Sequence, residues 1–249
     1  MGRLQFDLSS SEDYLGFEPI ASSAKGNAYK VTCGGYEPLL LEAGLPMDQL
    51  SIATGFSLSK FAGCLISHSH KDHSKAIPAL LKSAVDCYMS AETAGETGAL
   101  GHYRTNLLWA KKVTKIGDWE VTPMDLEHDV RCFGFYIKAP TNERLLFITD
   151  TGKAEPHFDR IDILAIECNF MDLALDNFSG GKTIRKRAGG RVSKTHMSLE
   201  QVVSMIKASD LSHCRAIWLL HLSETNSDEA RMIRTVQEET GIPTRAAKT

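Results

Sequence analysis

Apolar and polar positions along this chain fall in short runs, and the runs predict a mixture of strands and helices. Arg3 to Leu8 reads as a first strand, and the turn-rich Ser22-Ser23-Ala24-Lys25-Gly26-Asn27 leads into a second over Ala28 to Cys33. Gly34-Gly35 turns the chain, and Leu39 to Glu42 returns as an apolar strand. Pro46 to Ala53 predicts a short helix with Pro46 in its first turn. Ala62 to Ile66 is apolar apart from Gly63, the mark of a strand buried on both faces. Ala76, Ile77, Leu80 and Leu81 recur at helical spacing, so a helix runs to about Ser83. Val85 to Met89 then predicts a strand and Ala91 to Thr97 a short helix. Gly117-Asp118 is a two-residue hairpin turn between strands over Lys112 to Ile116 and Glu120 to Glu127.

Further strands are expected at Phe133 to Ile137, Leu145 to Thr149, Ile161 to Ile166, Ala216 to Leu220 and Ile242 to Arg245. Ser198 caps a helix whose buried stripe is Leu199, Val202, Val203 and Ile206. Ser227 to Thr240 is a second helix, stopped by Gly241. Residues 179–195 are rich in Gly, Lys and Arg with no hydrophobic period, which predicts a long loop. Strands in two clusters with helices between them mean mixed α and β, and periodicity says no more than that.

At 249 residues and 43% hydrophobic, the chain can bury a substantial core, and with no linker or repeat it reads as one domain over residues 1–249. A net charge of -3 and a pI of about 6.3 argue against a protein coated in nucleic acid, while leaving room for a local basic groove. Cys33, Cys64, Cys87, Cys132, Cys168 and Cys214 show no Cys-x-x-Cys spacing and read as buried free thiols of a reducing compartment. The N-terminus lacks an apolar signal core, Phe6 breaks the myristoylation pattern, and no apolar run reaches the length of a membrane span. Asn177-Phe178-Ser179 matches a glycosylation triplet, which carries little weight in such a chain. The expectation is a soluble, cytoplasmic protein of a bacterium or an infected host cell. Trp109, Trp119 and Trp218 are scattered and read as core residues, and His102, His157 and His213 as structural or surface residues.

The chemistry concentrates in Ser67-His68-Ser69-His70-Lys71-Asp72-His73, between the buried run ending at Ile66 and the next helix. On an extended segment residues two apart share a face, so His68 and His70 can address one ion. Asp72 and His73 follow as the chain turns, where they can address a second. Imidazole nitrogen and carboxylate oxygen suit Zn²⁺ well and Mn²⁺ or Fe tolerably.

The pattern His-x-His-x-Asp-His resembles the signature of the metallo-β-lactamase superfamily. The resemblance implies a four-layer αβ/βα sandwich with two Zn²⁺ ions, Mn²⁺ being the alternative. It implies that His68, His70 and His128 hold one ion, that Asp72, His73 and His221 hold the other, and that Asp150 bridges them. Glu42 stands where the superfamily commonly has an aspartate, and would support the histidine loop without binding metal. Ile166-Glu167-Cys168-Asn169, Thr195-His196-Met197-Ser198 and Leu220-His221-Leu222-Ser223 resemble the C-terminal half of ribonuclease Z and its phosphodiesterase relatives. On that likeness Asp72, Glu167 and His196 are the catalytic residues: Glu167 orients His196, which protonates the leaving oxygen or clamps the phosphate.

The turn at Ser22 to Asn27 is similar to the entry of the WalJ group of exonucleases, and the compact chain, without a tRNA-gripping insertion, is similar to the phage anti-Pycsar phosphodiesterases. The first expectation is therefore a dinuclear phosphodiesterase converting cyclic 3′,5′-mononucleotides to linear monophosphates, as a phage would use against cyclic-nucleotide signalling. The second is a DNA or RNA nuclease with the same ligands. The third is a binding protein with a vestigial site, against which the full ligand set speaks. β-Lactam or thioester hydrolysis is disfavoured by Glu167 and His196. Lys182, Arg185, Arg187 and Arg191 form the one basic run and are either a solvated loop or phosphate contacts, within one chain or across the homodimer common among such relatives.

Overall fold

A computed structural model describes residues 14–153, 160–171, 195–224 and 227–247. The strand expected over Arg3 to Leu8, the basic residues Lys182, Arg185, Arg187 and Arg191, and His157 lie outside the described residues.

Two mixed sheets face each other. The first has strand order β1 (Leu15–Ser23), β2 (Gly26–Cys33), β3 (Leu39–Leu41), β4 (Gly63–Leu65), β5 (Cys87–Met89), β6 (Thr105–Leu107). The second runs β13 (Thr244–Ala246), β12 (Ala216–Leu220), β11 (Ile163–Glu167), β10 (Arg144–Ile148), β9 (Cys132–Lys138), β8 (Trp119–Leu126), β7 (Thr114–Ile116). Helices α1 (Met47–Ala53), α2 (Lys71–Ser74), α3 (Ile77–Lys82) and α4 (Ala91–Glu96) belong to the first half, and α5 (Leu199–Lys207) and α6 (Glu229–Thr240) to the second. This is the four-layer αβ/βα sandwich of the metallo-β-lactamase fold.

Alternation along the inner strands builds the layer between the sheets. In β8, Trp119, Val121 and Pro123 turn inward while their neighbours are half-buried. From the opposite sheet Tyr29 meets Phe147 edge-on with ring centroids 5.4 Å apart, and Phe17 stacks on Tyr29 at 5.4 Å. The outer apolar layers are separate: Leu40, Ile66, Ile77 and Leu80 pack under the first-half helices, and Ile148, Ile166, Val202 and Met232 under α5 and α6. Strand β4, and β11 as far as Ile166, are apolar and covered on both faces, as the unbroken apolar runs predict.

Several sequence expectations need correction. Strand β1 was not foreseen: Leu15 to Ser23 carries Pro19 and alternates weakly, and pairing with β2 across a bulge at Pro19/Ala21 supplies what its pattern lacks. The short β6 was also missed, because three half-buried residues give no period to read. Pro46 precedes α1 as its N-cap residue. Of the tryptophans, Trp119 is buried and donates Nε1–H to the Glu37 carbonyl at 2.8 Å, and Trp218 is half-buried. Trp109 is 56% exposed beneath the Lys112 ammonium, so it is not a core residue. All six cysteines are free, and among the described residues no helix is long and apolar enough to cross a membrane.

Parallel pairing of β3 to β6 and of β10 to β13 sends the carboxyl ends of the strands in each half to one edge, where loops of such sheets bind ligands. At that edge the segment after β3 presses on α2: Ala43 N–H donates to the His73 carbonyl at 2.8 Å, and Gly44 N–H to the Asn27 carbonyl at 2.9 Å. A Cβ on Gly44 would lie 1.6 Å from the Asp72 carbonyl oxygen. Gly44→Ala is therefore expected to destabilise the fold by about 3 kcal/mol or more. Chemical denaturation would measure this, and an unchanged midpoint would show that the two segments can part freely.

Candidate metal centre

The candidate ligands leave the ends of strands, except Asp72 and His73, which lie in α2. His68 and His70 follow β4, His128 follows β8, Asp150 follows β10, Glu167 ends β11, and His221 follows β12. Two of the turns are strained: Glu42 (φ 65°) and His221 (φ 51°) occupy the left-handed region, at roughly 1–3 kcal/mol each. The strain aims their side chains. Glu42 Oε2 accepts the Ser67 N–H at 3.4 Å and lies 3.4 Å from His73 Nδ1. His221 N–H is tied to Ser22 Oγ at 2.9 Å, and its carbonyl accepts the Asn169 amide at 2.9 Å.

The side chains gather into overlapping groups whose ligand atoms lie within 4.8 Å of one another: His68, His70 and His128; Asp72, His73, Asp150 and His221; and Asp150, Glu167, His196 and His221. The first two match the sets the resemblance implied, with Asp150 placed beside the second. The His68 and His73 rings, one from each group, meet at a 40° tilt with centroids 4.2 Å apart. His196 stands over both, 5.9 Å from the His128 ring and 5.4 Å from that of His221.

Hydrogen bonds occupy one nitrogen of His68 and one of His221 and leave the other buried without a partner. His68 Nδ1 is 2.8 Å from Ser67 Oγ, and its buried Nε2 has no hydrogen-bond partner. His128 Nδ1 donates to the Thr195 carbonyl at 3.1 Å, and its Nε2 faces Asp129 Oδ1 at 3.2 Å. His221 Nδ1 lies 3.1 Å from Asp150 Oδ1 and 3.3 Å from Glu167 Oε1, while its Nε2 is buried without a hydrogen-bond partner. His128 Nε2 and His70 Nδ1 are 3.3 Å apart, close to the ~3.4 Å separation of two nitrogens bound tetrahedrally to one ion at about 2.1 Å. Converging imidazole nitrogens at that spacing, beside the buried, unpartnered Nε2 atoms of His68 and His221, fit a divalent cation.

Electrostatics point the same way. Asp150, Glu167 and Glu42 are buried carboxylates, and among the described residues their ion-pair partners are imidazoles alone. Burial opposes charge on His73 and His221, but Asp150 and the neighbouring carboxylates outweigh it, raising His73 well above the imidazole range and His221 to about 10. Burial lowers His68 well below that range, aided by the charge of His73, and it lowers His128 too. The same imidazoles hold Asp150 well below the usual carboxylate range against its burial.

Glu167 is held on every side. Its Oε2 accepts the backbone N–H groups of Thr151 at 3.1 Å and Met197 at 3.2 Å, and its Oε1 takes a short hydrogen bond from His196 Nδ1. Burial disfavours the charged form of His196, but Glu167 overcomes this and raises its pKa. The capping box of α5 positions His196: Ser198 and Gln201 cap each other, and Gln201 Nε2 reaches the Gly152 carbonyl at 3.0 Å, joining the helix start to the Asp150 loop.

Two further side chains, unassigned from the sequence pattern, lie against the candidate ligands. Asn27 Nδ2 lies 3.1 Å from His73 Nε2 and 3.4 Å from Asp72 Oδ2; the turn carrying it was singled out, its amide was not. Asp129 Oδ1 lies 3.4 Å from His70 Nε2 and 3.2 Å from His128 Nε2. A carboxylate directly after a candidate ligand at a strand end was the available signal. His102 and His213 stand apart: His102 accepts the Arg104 N–H at 3.2 Å and stacks on Tyr103, and His213 is exposed.

Fold and site together define a metallo-hydrolase of the metallo-β-lactamase kind, with donor groups suited to divalent metals. Residues 45–221, a stretch running from before the histidine motif to His221, match the family model for the beta-lactamase superfamily domain, and the chain belongs to that family. It is 30% identical over 149 residues to exodeoxyribonuclease YycJ of Bacillus anthracis, over 55% of each chain, so it spans only about half the length of that relative. Among solved structures it is similar to the metallo-β-lactamase fold protein YhfI of Bacillus subtilis, with a TM-score of 0.72 and 17% identity over 95% of this chain and 97% of that one. It is also similar to the short form of human tRNase Z, with a TM-score of 0.62 and 14% identity over 93% and 96%.

Because His73 and His221 hold protons at neutral pH in the metal-free protein, a metal must displace them. Apparent affinity is expected to rise with pH from neutral toward 10, with proton release on binding. Calorimetry with Zn²⁺ in two buffers of different ionisation enthalpy measures the release; heats independent of buffer would contradict it.

Proposed function

We propose that this chain is a phosphodiesterase using two divalent cations, Zn²⁺ first and Mn²⁺ second, to cleave nucleotide phosphodiesters, in the first place cyclic 3′,5′-mononucleotides. The observation that carries the reading is the Glu167–His196 pair, standing over both ligand groups. When bound, the ions supply a hydroxide nucleophile at neutral pH and neutralise charge building on the phosphoryl oxygens. The remaining roles belong to the chain. His68, His70 and His128 would hold one ion and Asp72, His73 and His221 the other, with Asp150 beside the second group.

His196 is the acid. With Nδ1 committed to Glu167, its Nε2 is the atom left to carry a proton toward a leaving oxygen, and the raised pKa keeps that proton in place near neutrality. Glu167, anchored by two backbone N–H groups, keeps the ring from turning. β-Lactam or thioester hydrolysis is disfavoured because Glu167 and His196 match the pattern of the phosphodiesterase branch.

A small substrate is favoured by the net charge of -3, which gives little general attraction to a polyanion. The second reading, a nuclease working on DNA ends, is favoured by the similarity to an exodeoxyribonuclease. In either case Lys182, Arg185, Arg187 and Arg191 are proposed phosphate contacts, within the chain or across a homodimer.

Purified, metal-loaded protein should convert cyclic 3′,5′-mononucleotides to linear monophosphates; shortened DNA or RNA with cyclic nucleotides intact would establish the nuclease instead. Binding to oligonucleotides that falls steeply with salt would also favour the polymer. His68→Ala and Asp150→Ala are expected to lose metal and activity together, and full activity in either would sink the dinuclear scheme. His196→Ala should keep its metal yet turn over roughly 10²-fold more slowly or worse; unchanged turnover would remove it from the mechanism.

A further inference from the structure

We infer that Trp109 is a nucleobase platform, on which the base of a nucleotide stacks while its phosphate occupies the metal centre. The inference deepens the phosphodiesterase reading and rests on it.

Strand register places Trp109 at the ligand edge. Leu65 pairs with Tyr88 and Tyr88 with Asn106, so these three form one row across β4, β5 and β6. Three residues beyond that row stand His68, of the first ligand group, and Trp109. The three strands are parallel, so both residues leave the same edge of the sheet. Two strand spacings of ~4.8 Å set them about 10 Å apart, a gap that an indole and a nucleotide can span together.

The backbone around Trp109 is fixed, so its exposure is not the accident of a loose loop. Leu108 N–H donates to the Met89 carbonyl at 2.8 Å, and Lys111 N–H to the Pro123 carbonyl at 2.7 Å. Lys112 N–H closes a turn on the Trp109 carbonyl at 3.2 Å. Leu108 is buried in the layer between the sheets and Ala110 packs against it, yet Trp109 between them stays 56% exposed. Lys111 takes a left-handed φ of 64° at the third position of this turn, where Gly or Asn is usual. A lysine kept in that conformation holds a cation on the turn where a glycine would be less strained.

Charge matches a nucleotide as well. Residues 97–117 include Arg104, Lys111, Lys112 and Lys115 and no carboxylate, in a chain whose net charge is -3. The Lys112 ammonium lies 4.9 Å from the Trp109 ring centroid. An open aromatic face among cations suits a base and its phosphate together. Tyr103 provides the contrast. It is 81% exposed, with the Arg104 guanidinium 5.3 Å from its ring centroid, but it precedes β6 and so lies at the opposite edge, away from the ligands.

Equilibrium binding to the Zn²⁺-loaded protein tests the platform by comparing nucleoside 5′-monophosphates with ribose 5-phosphate, which lacks only the base. The parent should bind the nucleotides roughly 10-fold more tightly, toward the lower end of the scale for a base stacked on an aromatic side chain. Trp109→Ala should lose that preference while ribose 5-phosphate binds as before. Trp109→Phe, which keeps a ring, should retain most of it, and Trp109→Leu, apolar without a π face, should not. Tyr103→Ala should retain all of it. Equal binding of the two probes by the parent, or an undiminished preference in Trp109→Ala, overturns the inference and leaves the metal centre untouched. Binding of neither probe by the parent removes the phosphodiesterase reading, and the inference falls with it. In turnover, Trp109→Ala should raise KM roughly 10-fold at nearly unchanged kcat, the mark of lost uniform binding. The rise should follow whichever substrate the parent cleaves, cyclic 3′,5′-mononucleotides or oligonucleotide ends, which identifies the source of the base. An unchanged KM for both would overturn the inference.

Discussion

The buried carboxylate of Asp150 is the constraint around which this edge of the molecule is built. It follows β10 in one sheet, and its Oδ1 meets His221 from the same sheet at 3.1 Å and His73 from the opposite half at 3.5 Å. An unpaired charge so deeply buried costs several kcal/mol, and removing one partner of such a pair commonly costs about 3–5 kcal/mol. The two halves are therefore tied at their ligand edge by charge as well as by the aromatic layer between the sheets. A cation bound there takes over the charge balance that protons on His73 and His221 supply in its absence.

That arrangement carries its own cost. Glu42 and His221 hold left-handed backbone conformations, Gly44 admits no side chain against Asp72, and several polar atoms are buried without hydrogen-bond partners. A fold selected for stability alone would have no use for these features. They make sense as a framework that holds lone pairs facing inward, with each imidazole fixed by a backbone carbonyl, hydroxyl or carboxylate on its outer nitrogen. The separate α5 capping box applies the same logic to His196, whose ring is held by Glu167 rather than aimed as a ligand.

The sequence was most legible where the physics is local. The apolar runs at Ala62 to Ile66 and Ile161 to Ile166, the Gly117-Asp118 hairpin, the Ser198 cap and the Gly241 stop each reflect forces acting within a few residues, and each element stands within two residues of its expected place. Strands β1 and β6 were illegible because their stability comes from a neighbour and their own patterns are weak. Trp109 shows the converse error. Large aromatics are usually buried, but where one lies depends on what the chain packs over it, and after β6 the Lys112 ammonium covers a ring left 56% exposed.

The sequence by itself determined the ligand types and their order, because a histidine motif after a buried strand has a local chemical meaning and the later histidines and carboxylates follow strands of the same kind. It also carried the family likeness. Only the tertiary structure decided which imidazole nitrogens are buried without partners, that Asn27 and Asp129 lie beside the candidate ligands, and that His196 stands over both ligand groups. Those outcomes depend on contacts such as Thr195 to His128 and Asp129 to His70, made between segments distant in sequence or turned by a loop, with no periodicity to announce them. Composition and spacing encode what an element is; the proton positions that make a metal centre are set by what the elements touch.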